Sequence, residues 1–260
     1  MKLGIAYNMF DGYELLDYVT TSSAKYTDFC CIVIQEVSNV GLTIDTKKMY
    51  EAIEKCGKKI DTVIMYTPNL KLSPMENEIT KRNMGLNCCK DNGCTHGITS
   101  DVDEVYSAVE VEQAKLKIES EAYDSSACTM LEYYRDVNHI FKPNDVYYTS
   151  LIQKLDGRQL ILATPWSISV DPTKKMKTTK LGIFPRNEIQ QHHFSWIRTS
   201  IYNKFMNSSN KQKKTEENIK IVDEYYKNWK DGMPALLVGD TTFESELLKV
   251  NFDFLPPIIL

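Results

Sequence analysis

"GCTHGITSDVDEVYSAVE" occupies residues 93–110, and its reading decides the architecture of the chain. Residues 94–100 form a short β-prone run that ends in Asp101-Val102-Asp103-Glu104, and a helical pattern follows. A strand that surfaces into carboxylates and then feeds a helix is one step of an open α/β sheet. Such sheets bind ligands beyond the carboxyl ends of their strands. Spacing alone leaves two readings of the acids. Asp101 or Asp103 caps a helix beginning near Val105, or the pair holds a hard divalent cation, Mn²⁺ or Mg²⁺, that fills its other positions with waters and phosphate oxygens.

The flanking sequence repeats the strand–helix rhythm. Residues 2–8 read as a first strand, 13–25 as a helix with Leu15, Leu16 and Val19 on one face, and "DFCCIVIQ" (28–35) as a strand buried on both faces. Asp45 caps a helix to about Cys56 that Gly57 stops, and residues 60–66 form a third strand. Pro74 opens a helix to about Asp91, which Asn92-Gly93 ends. The pattern predicts an α/β doubly wound mixed sheet flanked by helices, with Asn8, Glu36 and Asp101 gathered along one edge. After residue 118 the rhythm changes. "EAYDSSACTMLEYY" and "DVYYTSLIQKL" read as strands, "SVDPTKKMKTTK" as a lysine-rich loop, and residues 187–207 and 215–230 as amphipathic helices.

Composition bounds the rest. The 260 residues are 42% hydrophobic and 25% charged, as in a soluble globular protein, and a net charge of −4 argues against a broadly basic nucleic-acid surface. Local basic patches remain at residues 174–177 and 211–214. Seven cysteines without a signal-peptide core, and no run of about 18 apolar residues, predict reduced thiols in a cytoplasmic protein with no membrane span.

Other stretches carry chemistry more weakly. Lys81, Arg82 and Asn83 precede the acidic strand on a helix, where arginine can fork onto phosphate and the bland reading is a solvated face. Lys174 and Lys175 can neutralise a diphosphate or simply solvate a loop. His192 and His193 are adjacent, so on a helix they diverge by about 100° and do not share a site. Cys88, Cys89, Cys94 and His96 lack the paired knuckles of structural zinc and read as small core fillers. No nucleophile elbow, dinucleotide fingerprint or P-loop is present.

In their order, "LGIAYNMFDGYELL", "DFCCIVIQEVSN", "KRNMGL", "GCTHGITSDVDEVY", "VDPTKK" and "HHFSWIR" resemble a GT-A-fold glycosyltransferase, and more narrowly the small glycosyltransferase-like proteins of phage and bacterial sugar-modification loci. The resemblance implies a GT-A-like domain over residues 1–206, with a nucleotide-sugar half (1–104) and an acceptor half (105–206). A C-terminal helical extension (207–260) packs on the same domain. It implies Mn²⁺ or Mg²⁺ on Asp101 and Asp103, with His193 rather than His192 completing the metal shell. Ala6, Tyr7 and Asn8, Gln35 or Glu36, and Lys81, Arg82 and Asn83 then hold the nucleotide of a donor, UDP-sugar favoured, with Lys174 and Lys175 on the diphosphate.

The implied reaction moves a hexosyl or pentosyl group to a hydroxyl of a glycan, protein or hydroxymethylated DNA base, in the host cytoplasm if the source is viral. An inverting course needs a base, for which Glu104, Asp124, Glu132, Asp136 and Asp145 are available. The alternatives are a nucleotidyltransferase of related architecture and a non-catalytic nucleotide-sugar-binding module.

Overall fold

The computed structural model describes residues 1–143, 146–207, 215–239 and 241–258, so Asp145 and the 211–214 patch lie outside the described residues. Two compact units are present, Met1–Met130 with Asn144–His192 and Leu131–Pro143 with His193–Leu260.

The first unit opens with β1 (Leu3–Met9), α1 (Leu16–Ser23), β2 (Phe29–Ile34), α2 (Thr46–Cys56), β3 (Thr62–Met65), α3 (Pro74–Asp91) and β4 (His96–Asp101). The helix ends follow the predicted punctuation. The Asp45 side chain accepts from Lys48 N at α2, and Gly57 at φ +54° ends that helix. Ser73 and Glu76 form a reciprocal capping box behind Pro74 at α3. Strands β3-β2-β1-β4 lie side by side and parallel. Right-handed crossovers in this order put α1 and α2 on one face of the sheet and α3 on the other. The return from β3 to β4 makes a switch point between β1 and β4. At Gly85 an added Cβ would lie 2.7 Å from Ala6 Cβ, so only glycine lets α3 seat this closely on β1.

β5 (Glu104–Val105), α4 (Ala108–Glu121) and β6 (Ser125–Tyr134) follow. β6 runs into the second unit, which claims β7 (His139–Phe141) before the chain returns as β8 (Tyr147–Lys154), β9 (Ser169–Val170), β10 (Leu181–Phe184) and the start of β11 (Gln190–Trp196). β8 joins β4 and β6 antiparallel, and β9 and β10 add parallel to β8 and β6. The sheet is therefore mixed, as predicted.

One prediction is overturned. Residues 190–196 form a strand, and the helix in that region is only α5 (Tyr202–Asn207). Gln190, Gln191, His192, Phe194, Ser195 and Trp196 are all buried, so the strand hides polar and apolar residues on both faces and loses the alternation that marks a strand.

The second unit contains β7, the end of β11, α5, α6 (Glu216–Asn228), the β12–β13 hairpin (Ala235–Val238, Thr242–Ser245) and β14 (Leu247–Lys249), antiparallel to β7. Among the described residues beyond 206 there are thus three short strands besides α6. Tyr134, Trp196, Ile201, Phe205, Ile219, Val222 and Tyr226 form its core.

Candidate functional site at the β1–β4 edge

Asn8 and Asp101 are register partners near the carboxyl ends of the parallel strands β1 and β4, so they meet at the switch point. β4 then turns through Val102 and Asp103 into β5. Glu104 folds back on this turn, with Oε2 accepting from Ser100 Oγ (3.1 Å) and Asp101 N (3.0 Å). The helix that follows has Ser107 at its N-cap position, so neither Asp101 nor Asp103 is a helix cap.

A chain of alternating charge surrounds Asp101. Glu78 and Arg82 share one face of α3, four residues apart, and Arg82 Nη2 reaches Glu78 Oε1 at 2.5 Å and Asp101 Oδ2 at 3.0 Å. Lys174 Nζ, from the turn Pro172–Lys174, lies 2.5 Å from Glu104 Oε1 and 3.3 Å from Asp101 Oδ2. Arg82 and Lys174 are 1% and 2% exposed, so these charges interact with little water between them. Burial pushes the Asp101 carboxyl up, but Arg82 and Lys174 outweigh it and hold it well below the usual carboxylate range. Burial pulls the Lys174 ammonium down, and Asp101 and Glu104 reverse that and raise it. Lys81, also buried, donates to Met9 O at 2.7 Å, and burial lowers its pKa to about 7.

The proposed nucleotide contacts separate into groups. Ala6 and Tyr7 are fully buried, with Ala6 in an apolar cluster under α3 and Tyr7 Oη donating to Val19 O at 3.0 Å, so both serve the core. Asn8 is different. Its Nδ2 donates to Thr99 Oγ1 (3.1 Å) and to the Ser100 carbonyl (3.3 Å), which settles the amide orientation and leaves the buried Oδ1 without a protein donor. Gln35, just after β2, likewise donates through Nε2 to Val37 O and Asn39 Oδ1 and keeps a buried, unpartnered Oε1. Glu36 is exposed and accepts from Tyr50 Oη at 2.9 Å.

Asn83 clamps Leu160 through N–H···Oδ1 (2.9 Å) and Nδ2–H···O (3.2 Å), fastening a loop. Lys175 is half-buried beside Lys174. His192 is fully buried, and burial together with the Arg186 charge lowers its pKa to about 3, whereas His193 is half-buried and belongs to the second unit.

The remaining sequence candidates take ordinary roles. Cys89 and Cys94 are core residues in the same cluster as Ala6, with Cys88 packed against it, and all seven cysteines are free. Asp124 accepts from Thr178, Thr179, the Lys180 amide and Arg158, which together anchor the returning loop. Glu132 takes the Trp196 indole N–H, and Asp136 takes His139. Glu78 was missed, although its place four residues ahead of Arg82 is a readable signal. Glu110 was also missed. This half-buried carboxyl is raised by burial and has an unpartnered Oε2.

Among the described residues no three His, Cys, Asp or Glu side chains converge as a metal-binding group. The fit of a divalent cation rests on the two acids of the turn. Asp103, buried at 5% exposure, and Asp101, engaged through Oδ2, supply the hard oxygens that suit Mg²⁺ or Mn²⁺ held mainly by phosphates and water.

No family model matches the chain, and no curated protein matches it. Solved structures of S. aureus TarS are similar at low identity. The TarS 1-349 structure is 13% identical with a TM-score of 0.49, covering 80% of this chain and 63% of that one. Its complex with UDP-GlcNAc is 13% identical with a TM-score of 0.48, covering 80% and 64%. A longer TarS structure is 13% identical with a TM-score of 0.46, covering 80% and 38%. The chain thus spans less than two thirds of each of these structures.

Proposed function

We propose that the chain is a glycosyltransferase that takes its sugar from a nucleotide-diphosphate donor bound at the β1–β4 edge. The observation that carries this reading is the pairing of Asn8 with Asp101 at a switch point whose next turn presents Asp103. The resemblance of "KRNMGL" and "SDVDEVY" to GT-A motifs falls on the same edge.

Each group has a part to play. Asn8 Oδ1 and Gln35 Oε1 are buried acceptors without a protein donor, and a nucleobase N–H such as the imide of uracil would satisfy one of them. Asp103, with the remaining oxygen of Asp101, would hold Mn²⁺ or Mg²⁺ against the diphosphate. When bound, the ion stabilises the negative charge that grows on the leaving group. Arg82 and Lys174 keep Asp101 ionised and oriented, and Glu104 holds the turn, so the acceptor base is some other carboxylate or none. The acceptor hydroxyl is that of a glycan, a protein or a modified DNA base. A nucleotidyltransferase is less favoured, because the turn "NMFDG" after β1 supplies neither Lys nor Arg.

The test is a thermal-shift series on the full chain with UDP and UDP-GlcNAc, the ligands named for the S. aureus structures, each with and without Mn²⁺. A metal-dependent upward shift that Asp103→Ala removes is expected. No shift with any nucleotide-sugar in an extended panel overturns the reading.

A further inference from the structure

The second unit contains a cleft of about 490 Å³, within the range of about 300–1,000 Å³ usual for small-ligand sites. Trp229 walls one side. Asp231, Glu244, Ser245, Glu246 and Lys249 supply the polar lining, with His139 at its base. The wall is stiff. Trp229 donates its indole N–H to Met233 O at 3.0 Å and meets Tyr134 and His139 edge-on, with ring centroids 5.7 and 4.9 Å away. Gly232 at φ +91° turns the chain beneath it, which a side chain would resist. His139 is immobilised too, with Nδ1 on Asp136 Oδ1 (2.8 Å) and Nε2 on Asp231 Oδ1 (3.0 Å). Lys249, its register partner on β14, closes on Asp231 Oδ2 at 2.6 Å.

We infer that this cleft binds a neutral saccharide. Both oxygens of Asp231 are already engaged, by His139 and Lys249, so it offers a ligand little further acceptor capacity. What remains for a ligand is a mixed set of acceptors at Glu244 and Glu246, a hydroxyl at Ser245, the ammonium N–H groups of Lys249, and an aromatic wall. Hydroxyls on a sugar ring both donate and accept, and the ring's C–H face packs on an indole, so a pyranose matches this set. A phosphate or nucleotide would meet three carboxylates. A small cation would meet Lys249 at the point of highest negative charge. The cleft is lined only by second-unit residues, so the inference does not depend on the donor reading.

The test is saturation-transfer NMR on the full chain with the methyl glycosides of glucose, galactose, mannose and N-acetylglucosamine, with tetramethylammonium and inorganic phosphate as contrasts. Binding of at least one glycoside is expected, weakened about tenfold by Glu246→Ala, the scale of one charge-assisted hydrogen bond. Trp229→Phe should also weaken it, and Glu246 is exposed, so its variant keeps the test sound if Trp229 variants misfold. No glycoside binding, binding unchanged by Glu246→Ala, or preference for tetramethylammonium or phosphate overturns the inference. The UDP–Mn²⁺ thermal shift of Glu246→Ala should equal that of the parent, so loss of the nucleotide reading and loss of this one appear in different measurements.

Discussion

Asp101 and Asp231 each sit between two basic groups, yet they belong to different physical regimes. Asp101 faces Arg82 and Lys174 at 3.0 and 3.3 Å, and although its own side chain is 34% exposed those partners are almost wholly buried. Asp231 faces His139 and Lys249 at 3.0 and 2.6 Å, but its side chain is 60% exposed and that of Lys249 67%. Similar contacts therefore carry unequal consequences. Where water is excluded, losing one partner strands the other charge. Where water has access, it replaces the lost partner.

The largest expected effect follows from the buried member. Arg82→Ala removes a fully buried guanidinium and leaves Glu78 and Asp101 with one basic partner fewer, and should cost about 3 kcal/mol in urea denaturation. Arg82→Lys should recover only part of this, since an ammonium does not reproduce the planar fork. An Arg82→Ala protein as stable as the parent would show that water reaches Asp101 freely and would erase the contrast.

The same cluster contains a pH signal. Lys81 has a folded pKa of about 7 against an ordinary value of 10.5, with burial as the main cause. Between those values the unfolded chain holds a proton that the folded chain has released, so stability rises with pH across that window, by up to about 1.4 kcal/mol per unit. Below pH 7 both states are protonated and the slope vanishes. Lys81→Met should lack this rise, so the stability difference between parent and variant should itself grow as denaturation is followed from pH 7 to 10. An unchanged difference would mean that the ammonium is solvated. His192 adds a separate slope, because its pKa of about 3 lies below the ordinary 6.5, so stability falls as pH drops through that interval.

These contrasts also explain what was legible in the sequence. The parallel strands and helices of residues 1–101 could be read because local signals agreed with the fold. Asp45 and Gly57 bracket α2, and Ser73, Pro74 and Glu76 open α3. β11 could not be read, because a strand buried on both faces carries Gln, His and Ser beside Phe and Trp. At the candidate site Asp101, Arg82 and Lys174 each stood out by residue type, but their convergence is tertiary. Seventy-three residues separate Asp101 from Lys174, and nothing local predicts a buried lysine in a polar loop. The Asn83–Leu160 clamp is tertiary in the same way, since its partners lie 77 residues apart.

Packing under the buried cluster provides an intermediate test. Gly85→Ala would place a Cβ 2.7 Å from Ala6 Cβ and 3.1 Å from Val33 Cγ2, so α3 must shift off β1 and take Arg82 with it. A loss of about 1–3 kcal/mol is expected, together with a weakened nucleotide shift. A full nucleotide shift in a destabilised Gly85→Ala protein would separate the seating of α3 from the geometry around Asp101.

The smallest effect belongs to the exposed member, and it discriminates most sharply. Lys249→Ala removes the 2.6 Å contact to Asp231, which is shorter than either contact to Asp101. If distance governed strength, this variant would be the more damaged. Solvent access argues the opposite. Water and salt screen an exposed pair, two flexible side chains lose entropy in forming it, and Asp231 keeps His139 after Lys249 is gone. The denaturation midpoint of Lys249→Ala should therefore match the parent at both low and high salt, while glycoside binding in the cleft weakens because an ammonium donor has left the lining. A midpoint that falls as far as that of Arg82→Ala would mean that the hydrogen bonds around Asp231 act as a buried network, and the division by solvent access would have to be abandoned.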